Sequence, residues 1–250
     1  MIPAVFVEYR KAASSVVVRS ATALLILGIV AVSASLSLAS AHGNEQVRAK
    51  LGPLADKEGW EQLIGMVAMI SAPAALLGFG VVLSWMIGRE FADETISGLF
   101  ALPITRAQIV MAKLVVSWCW VVAVAVTLAV SCTALGLAFG YGPPRSADAA
   151  GLLRLLLVVV LTGLLAVPAA WAATLGRGLL PGIATTIVMI ALGQILVVAG
   201  TGAWFPVAAP ALWAVLPSDV TWAQLMLVPV IALVVAAMTA RSWHRLQLDR

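Results

Sequence analysis

The sequence predicts an all-α membrane protein with six transmembrane helices. Its 250 residues are 62% hydrophobic and only 10% charged, with a mean hydropathy of +1.07, a composition that excludes an ordinary soluble domain. A helix needs about 20 consecutive apolar residues to cross the hydrocarbon core of a bilayer, and six segments meet that length. They are too long and too evenly apolar for the strands of a membrane barrel, which show about ten alternating residues.

A polar lead-in over residues 1–19 precedes the first span, and we expect it to form an interfacial helix. The six predicted spans are Ser20–Ala41, Leu63–Ile87, Ile109–Phe139, Leu152–Leu175, Leu180–Gly202 and Thr221–Arg241.

The first span ends in a sequence like a signal-peptidase site, but its apolar stretch exceeds the roughly 7–15 residues of a signal sequence, so we expect it to be retained. We therefore expect residues 1–250 to form a single transmembrane domain, with prolines inside three spans (Pro73, Pro168 and Pro229) that favour kinks.

The distribution of Lys and Arg predicts the orientation of the chain. Of the 15 basic residues, ten lie on the side of the two termini: Arg10, Lys11, Arg19, Arg89, Arg106, Lys113, Arg177, Arg241, Arg245 and Arg250. The remaining five lie on the opposite side: Arg48, Lys50, Lys57, Arg145 and Arg154. The positive-inside rule then places both termini in the cytoplasm. Because the bases never form a patch, the net charge of +4 indicates orientation and no nucleic-acid partner.

Missing motifs argue against an enzyme or an ion-coupled carrier. The chain has no G-x-x-x-x-G-K-[ST] phosphate loop, no H-E-x-x-H and no G-x-S-x-G, so we expect no catalytic residues and no ATP hydrolysis by this chain. No acidic residue lies deep within a predicted span, where ion-coupled carriers need one.

Cys119 and Cys132 lie about 20 Å apart on one helix, beyond disulfide reach. His42 and His244 have no ligand-spaced companions, so we expect neither a metal nor a cofactor.

The polar connector Gly88–Lys113, between spans two and three, is the most distinctive part of the sequence. Only Gly98 opposes a helix from Glu90 to about Leu102, at about 1 kcal/mol, and Pro103 ends it. The predicted helix carries two stripes spaced i, i+3 and i+4: the acidic Glu90, Asp93 and Glu94, and the apolar Ile96, Leu99 and Phe100. Helices that bind membrane surfaces are usually rich in Lys and Arg, so this pattern favours a soluble protein partner.

The connector resembles the cytoplasmic signature of type-2 ABC-exporter permeases, particularly those of the drug and bacitracin or lantibiotic-immunity branches. The matching residues are Glu90-Phe91-x-x-x-Thr95-Ile96-x-x-Leu99-x-x-x-Pro103-x-x-Arg106, followed by Lys113 at the start of a span. The six-span layout and the lead-in Pro3–Ser14 are also similar to the family. One departure is Glu94-Thr95, where the family often has Gly-Thr after its acidic residue.

The resemblance implies a specific role for the connector. In that family it is a coupling helix that docks on a separate cytoplasmic ATPase subunit, which binds ATP and Mg. The implied docking residues are Glu90, Asp93, Glu94, Ile96, Leu99, Phe100, Pro103 and Arg106. The chain would be the cell-membrane permease subunit of an exporter, paired with a second copy or a related permease, and would move an amphiphilic or apolar cargo such as a drug, peptide antibiotic or lipid.

Two alternatives stay open at this point. A non-transporting scaffold or sensory subunit could dock a soluble partner through the same connector. The apolar segment between spans five and six, residues 203–220, could be a re-entrant element or a simple aromatic anchor at the membrane interface.

Overall fold

A computed structural model describes residues 2–100 and 103–247, and within these ranges the chain is helical, without strands. The helices are α1 (Ile2–Ser14), α2 (Val16–Ala41), α3 (Glu45–Leu51), α4 (Gly59–Ala92), α5 (Ile96–Phe100), α6 (Arg106–Ala138), α7 (Ser146–Leu164), α8 (Val167–Leu175), α9 (Leu179–Val198), α10 (Ala209–Val215) and α11 (Trp222–Arg245). Short 3-10 turns occupy Gly52–Asp56 and Gly202–Trp204. The predicted helix end at Leu102, and Arg250 in the orientation count, lie outside the described residues.

Six segments of the described chain are long and apolar enough to cross a membrane, and each overlaps one predicted span. They are Val16–Ala41, Gly59–Ala92, Arg106–Ala138, Ser146–Leu175, Leu179–Val198 and Trp222–Arg245. The prediction of six membrane-spanning helices is therefore confirmed. The fourth span differs in detail, because it consists of α7 and α8 separated at Leu165 and Ala166, with Pro168 in the first turn of α8. Proline fits that first turn because the missing N–H would have no partner there.

Helix α4 forms the centre of the bundle, packing against α2, α6, α7, α8, α9 and α10. In its most apolar stretch 61% of residues are buried, against 17% for α9. Small residues every four positions let α4 and α9 approach closely. On α4 they are Gly80, Ser84 and Gly88, which lie against Thr186, Gly182 and the Gly178–Leu179 backbone, respectively. Close approach of small residues is a main source of packing energy between membrane helices.

The bundle has two distinct ends. At one end, which we call the connector end, α4 finishes, α6 begins, and both the lead-in helix α1 and the C-terminus of α11 pack beside them. At the other end, called the α10 end, α4 and α7 begin and α10 packs across both. The segment at 203–220 is therefore folded onto the bundle, where Trp213 is only 8% exposed.

Candidate functional site

The connector begins with a tight turn instead of the continuous helix that the sequence predicts. Helix α4 ends at Ala92, Asp93 caps it, and the Asp93 N–H donates to Arg89 O at 2.8 Å. Glu94 follows with φ of +55°, in the left-handed region. A left-handed residue just after a helix is a common terminator, and it cannot belong to a helix. The prediction of one helix from Glu90 to Leu102 is therefore wrong, because Glu90 belongs to α4 and only Ile96–Phe100 forms α5.

The apolar stripe of α5 packs toward the bundle. Ile96 is buried, while Leu99 and Phe100 are half-buried. The Phe100 ring meets Trp243 of α11 edge-on, with centroids 6.2 Å apart. On its other side the guanidinium carbon of Arg106 lies 4.0 Å from the Phe100 centroid, which is a favourable cation–π geometry.

Arg106 also fixes the start of the third span. Its guanidinium donates a hydrogen bond to the carbonyl of Leu246, just after α11. Thr105 and Gln108 form a reciprocal capping box at the same helix start: Gln108 N donates to Thr105 Oγ1 at 3.2 Å, and Thr105 N donates to Gln108 Oε1 at 3.1 Å. Such boxes satisfy two of the backbone donors that a helix start leaves without partners. Arg106 thus joins α5, α6 and the end of α11.

The solvent-facing part of the connector is small and acidic. Asp93, Glu94, Gly98 and Pro103 are all exposed. A shallow apolar groove of about 200 Å³ lies next to this surface, between α1 and the start of α6. Its lining includes Pro3, Ala4, Val7, Leu99, Pro103 and Ile104. The predicted docking set therefore divides: Asp93, Glu94 and Pro103 face outward, whereas Ile96 is buried and Phe100 contacts the bundle.

Glu90, which the sequence suggested would face a partner, is buried in an ionic cluster inside the bundle. Its side chain is 2% exposed, and Oε1 lies 2.7 Å from the Lys113 ammonium. Lys113 is fully buried and also contacts Glu8 Oε2 of α1 at 2.8 Å. One ammonium thus joins carboxylates from the lead-in helix and from the second span, and Glu90 has no surface to offer a partner in this conformation.

Two further groups complete this cluster, which we call the Lys113 cluster (Glu8, Lys11, Glu90, Lys113 and Thr95). Lys11 Nζ lies 3.3 Å from both Glu8 Oε1 and Glu90 Oε1. At the edge of the cluster Arg89 Nε lies 3.7 Å from Glu90 Oε1, so three cations face two carboxylates. Thr95 Oγ1 donates to Glu90 Oε2 at 2.6 Å, which connects the turn before α5 to the buried charges. Buried charges are tolerated when paired and hydrogen-bonded in this way.

Sequence reasoning missed the Lys113 cluster. The sequence predicts Lys113 to be a base that flanks a span, whereas in the structure it lies two turns inside α6. The available signal was the presence of two acids and a base near span ends on the same predicted side. Charges within membrane helices are usually paired and functional, and that rule would have singled out Lys113.

The chain matches a known family of membrane proteins. The family described as ABC-2 family transporter protein matches residues 14–193, a stretch that includes the connector, Lys113, the first four spans and most of the fifth. The chain belongs to the ABC-2 transporter family. It is a multi-pass membrane protein and a transporter permease, as the sequence predicted. No curated protein matches the chain. Within this ABC-2 permease, the connector is the segment that the sequence predicts to contact a partner.

Proposed function

We propose that this ABC-2 permease is the membrane half of an ATP-driven exporter. Two permeases, either identical or related, would form the pathway. ATP and Mg would bind a separate ATPase subunit, and this chain would contribute docking, the cargo path and mechanical coupling. Both termini and the connector would face the cytoplasm, as the excess of basic residues on that side supports.

The observation that carries this proposal is the position of the exposed acids directly beside the Lys113 cluster. Asp93 and Glu94 lie within a few residues of both Glu90, which pairs with Lys113, and Thr95, which donates to Glu90. A force applied at the turn would reach α4 through the chain, and α1 and α6 through Lys113. Packed, hydrogen-bonded elements of this kind shift as units between discrete arrangements.

Docking would combine charge and shape. The carboxylates of Asp93 and Glu94 would meet basic groups of the ATPase, and an apolar side chain of the ATPase would enter the groove between α1 and Pro103. Leu99 borders that groove, so it remains a docking residue in this proposal. Ile96, Phe100, Glu90 and Arg106 would instead transmit the motion, because they join the connector to α11, α4 and α6.

The cargo is proposed to be amphiphilic or apolar, such as a drug, a peptide antibiotic or a lipid. From Gln62 to Gly88, α4 has no charged residue, and α6 has none after Lys113. A pathway lined by such helices would make the transfer of a naked ion costly. The same feature supports an energy source outside the chain, since no carboxylate lies at mid-span to bind a coupling ion.

The test is co-purification of the ATPase in a mild detergent. Wild-type protein should bring down an ATPase with a phosphate loop in a near-equal amount. Charge reversal in D93K/E94K should reduce the recovered ATPase by about tenfold or more, because like charges would then meet across the interface. The matched control is D56K/E58K, which makes the same change at exposed residues of the α10 end and should leave recovery unchanged. A chain that purifies alone, or with a partner lacking a phosphate loop, would contradict the proposal and favour the scaffold alternative.

A further inference from the structure

A large cavity opens at the α10 end of the bundle, far from the connector. Its volume is about 560 Å³, within the range typical of ligand sites. The first turns of α4 and α7, the end of α10 and the 3-10 turn at Gly52–Asp56 form its walls. Helices α4 and α7 therefore begin beside this space and run along it.

The cavity is polar at its mouth and apolar below. Lys57, Glu61, Asp148 and Ser218 lie near the mouth. One or two helical turns deeper, the lining is mainly apolar, with Ile64, Ala68, Leu155 and Ala214, and Arg154 contributes a charge at the same level as Leu155. A ligand that fills this cavity would need a polar head and an apolar body.

Three of the four charged residues in the lining already have partners. Lys57 Nζ pairs with Glu61 Oε1 at 2.8 Å. Asp148 Oδ2 accepts a hydrogen bond from the backbone N of Arg145 at 2.8 Å. Arg154 differs: within the part of the chain that the structure describes, no carboxylate lies at ion-pair distance from its guanidinium. Its guanidinium carbon lies 5.9 Å from the centroid of the Trp213 ring.

Arg154 lies where an uncompensated charge is costly. It follows the start of α7 by eight residues, which corresponds to about 12 Å along the helix axis. It cannot lose its proton, and its planar fork of N–H donors matches the oxygens of a phosphate or carboxylate. Anionic phospholipids carry such oxygens together with apolar chains.

We propose that this cavity binds the phosphate head of an anionic amphiphile, with Arg154 as the phosphate ligand and the acyl chains along Leu155 and Ala214. The headgroup would give Arg154 the counter-charge that the described chain does not provide. The Trp213 ring, 5.9 Å from the guanidinium carbon, adds a cation–π contact that helps to position it. The site lies in a single chain and does not depend on an ATPase partner, so it can be tested independently of the proposed function.

The first experiment measures binding of dihexanoyl phosphatidylglycerol and dihexanoyl phosphatidylcholine to detergent-purified protein by native mass spectrometry. Wild-type protein should prefer the phosphatidylglycerol. R154Q should weaken its binding by about tenfold or more, since hydrogen bonds to charged groups contribute at that level, and should abolish the preference. R48Q is the matched control, because Arg48 is exposed on α3 at the same end and does not line the cavity. Equal binding by R154Q and wild type, or an equal loss in R48Q, would overturn the proposal.

The second experiment keeps Arg154 in place, so it decides the question even if R154Q fails to fold. In a C119S background, S218C places a thiol at the cavity mouth and Q46C places one on the exposed surface of α3. Phosphatidylglycerol should slow maleimide labelling of S218C several-fold and leave Q46C unaffected. Unchanged labelling of S218C, or equal slowing at both positions, would contradict the site. Equal protection by glycerol 3-phosphate would contradict an amphiphile as its ligand.

Discussion

At the connector end of the bundle, the Lys113 ammonium lies between two buried carboxylates, at 2.8 Å and 2.7 Å. At the α10 end, Arg154 borders an open cavity of about 560 Å³ and has no carboxylate at ion-pair distance among the described residues. Both bases belong to membrane helices, but among the described residues only Lys113 is paired with carboxylates. The first arrangement fastens three helices together, whereas the second leaves a charge for a ligand. We therefore expect one end to transmit movement and the other to bind a ligand.

The largest effect should come from removing the base at the connector end. K113M leaves the buried Glu8 and Glu90 with only the partly exposed Lys11 and Arg89 to balance them. Breaking a buried ion pair on one side costs about 3–5 kcal/mol, and thermal unfolding in detergent should show a loss of that order. K57M, which breaks the exposed Lys57–Glu61 pair at the α10 end, should cost less than about 1 kcal/mol. Similar losses in both variants would remove the contrast between the two ends.

A double variant separates lost pairing from lost packing. In K113M/E90L the remaining Glu8 and Lys11 still balance each other at 3.3 Å, so no carboxylate is left without a cation. Apolar replacement of a whole buried pair is often neutral. The double variant should therefore be more stable than K113M alone in the same unfolding assay, and a larger loss would show that the Lys113 cluster does not act as paired charges.

The next effect concerns glycines at the two ends. A Cβ on Gly88 would lie 2.6 Å from Leu179 N, a backbone atom that cannot move aside, so G88A should lose about 1–3 kcal/mol by overpacking. A Cβ on Gly151, beside the cavity, would meet only the end of the Ile64 side chain at 3.2 Å. Because alanine also favours a helix by about 1 kcal/mol, G151A should be nearly neutral. Equal stability of G88A and G151A would mean that the connector end is not the more tightly packed one.

The smallest effect lies in the turn before α5. Glu94 adopts φ of +55°, a conformation that costs an L-residue about 1–2 kcal/mol and costs glycine little. E94G should therefore be more stable than E94A by about 1 kcal/mol. Both variants lack the Glu94 side chain, so the difference reports the backbone alone. Equal unfolding temperatures would contradict the left-handed turn.

The sequence predicted the six spans because apolar length is a local property. The break within the fourth span was signalled by Pro168, but its position required the structure. The helix predicted from Glu90 was wrong because propensity does not show that a residue such as Glu94 is held in the left-handed region. The family that the connector resembles often has Gly-Thr close to this turn. Glycine can adopt the left-handed backbone conformation there without strain.

The candidate site was predicted only in part. Asp93, Glu94 and Pro103 are exposed as a docking surface requires, and their contact with a partner stays a prediction. The Lys113 cluster was not predicted, because it joins residues 105 and 23 positions apart and no local pattern reveals such contacts. Arg154 was counted as an outer-side base, and only the fold shows that it lines a cavity.

The most direct test of ATPase docking at the connector is site-specific photocrosslinking in intact cells. A photoreactive residue at Gly98 would project from α5 into open space, since nothing lies within 4 Å of its Cβ position. The matched control is Gln46, exposed on α3 at the α10 end. We predict an adduct with an ATPase that contains a phosphate loop, formed from position 98 and not from position 46. No adduct at position 98, or an adduct only with proteins lacking a phosphate loop, would contradict the account.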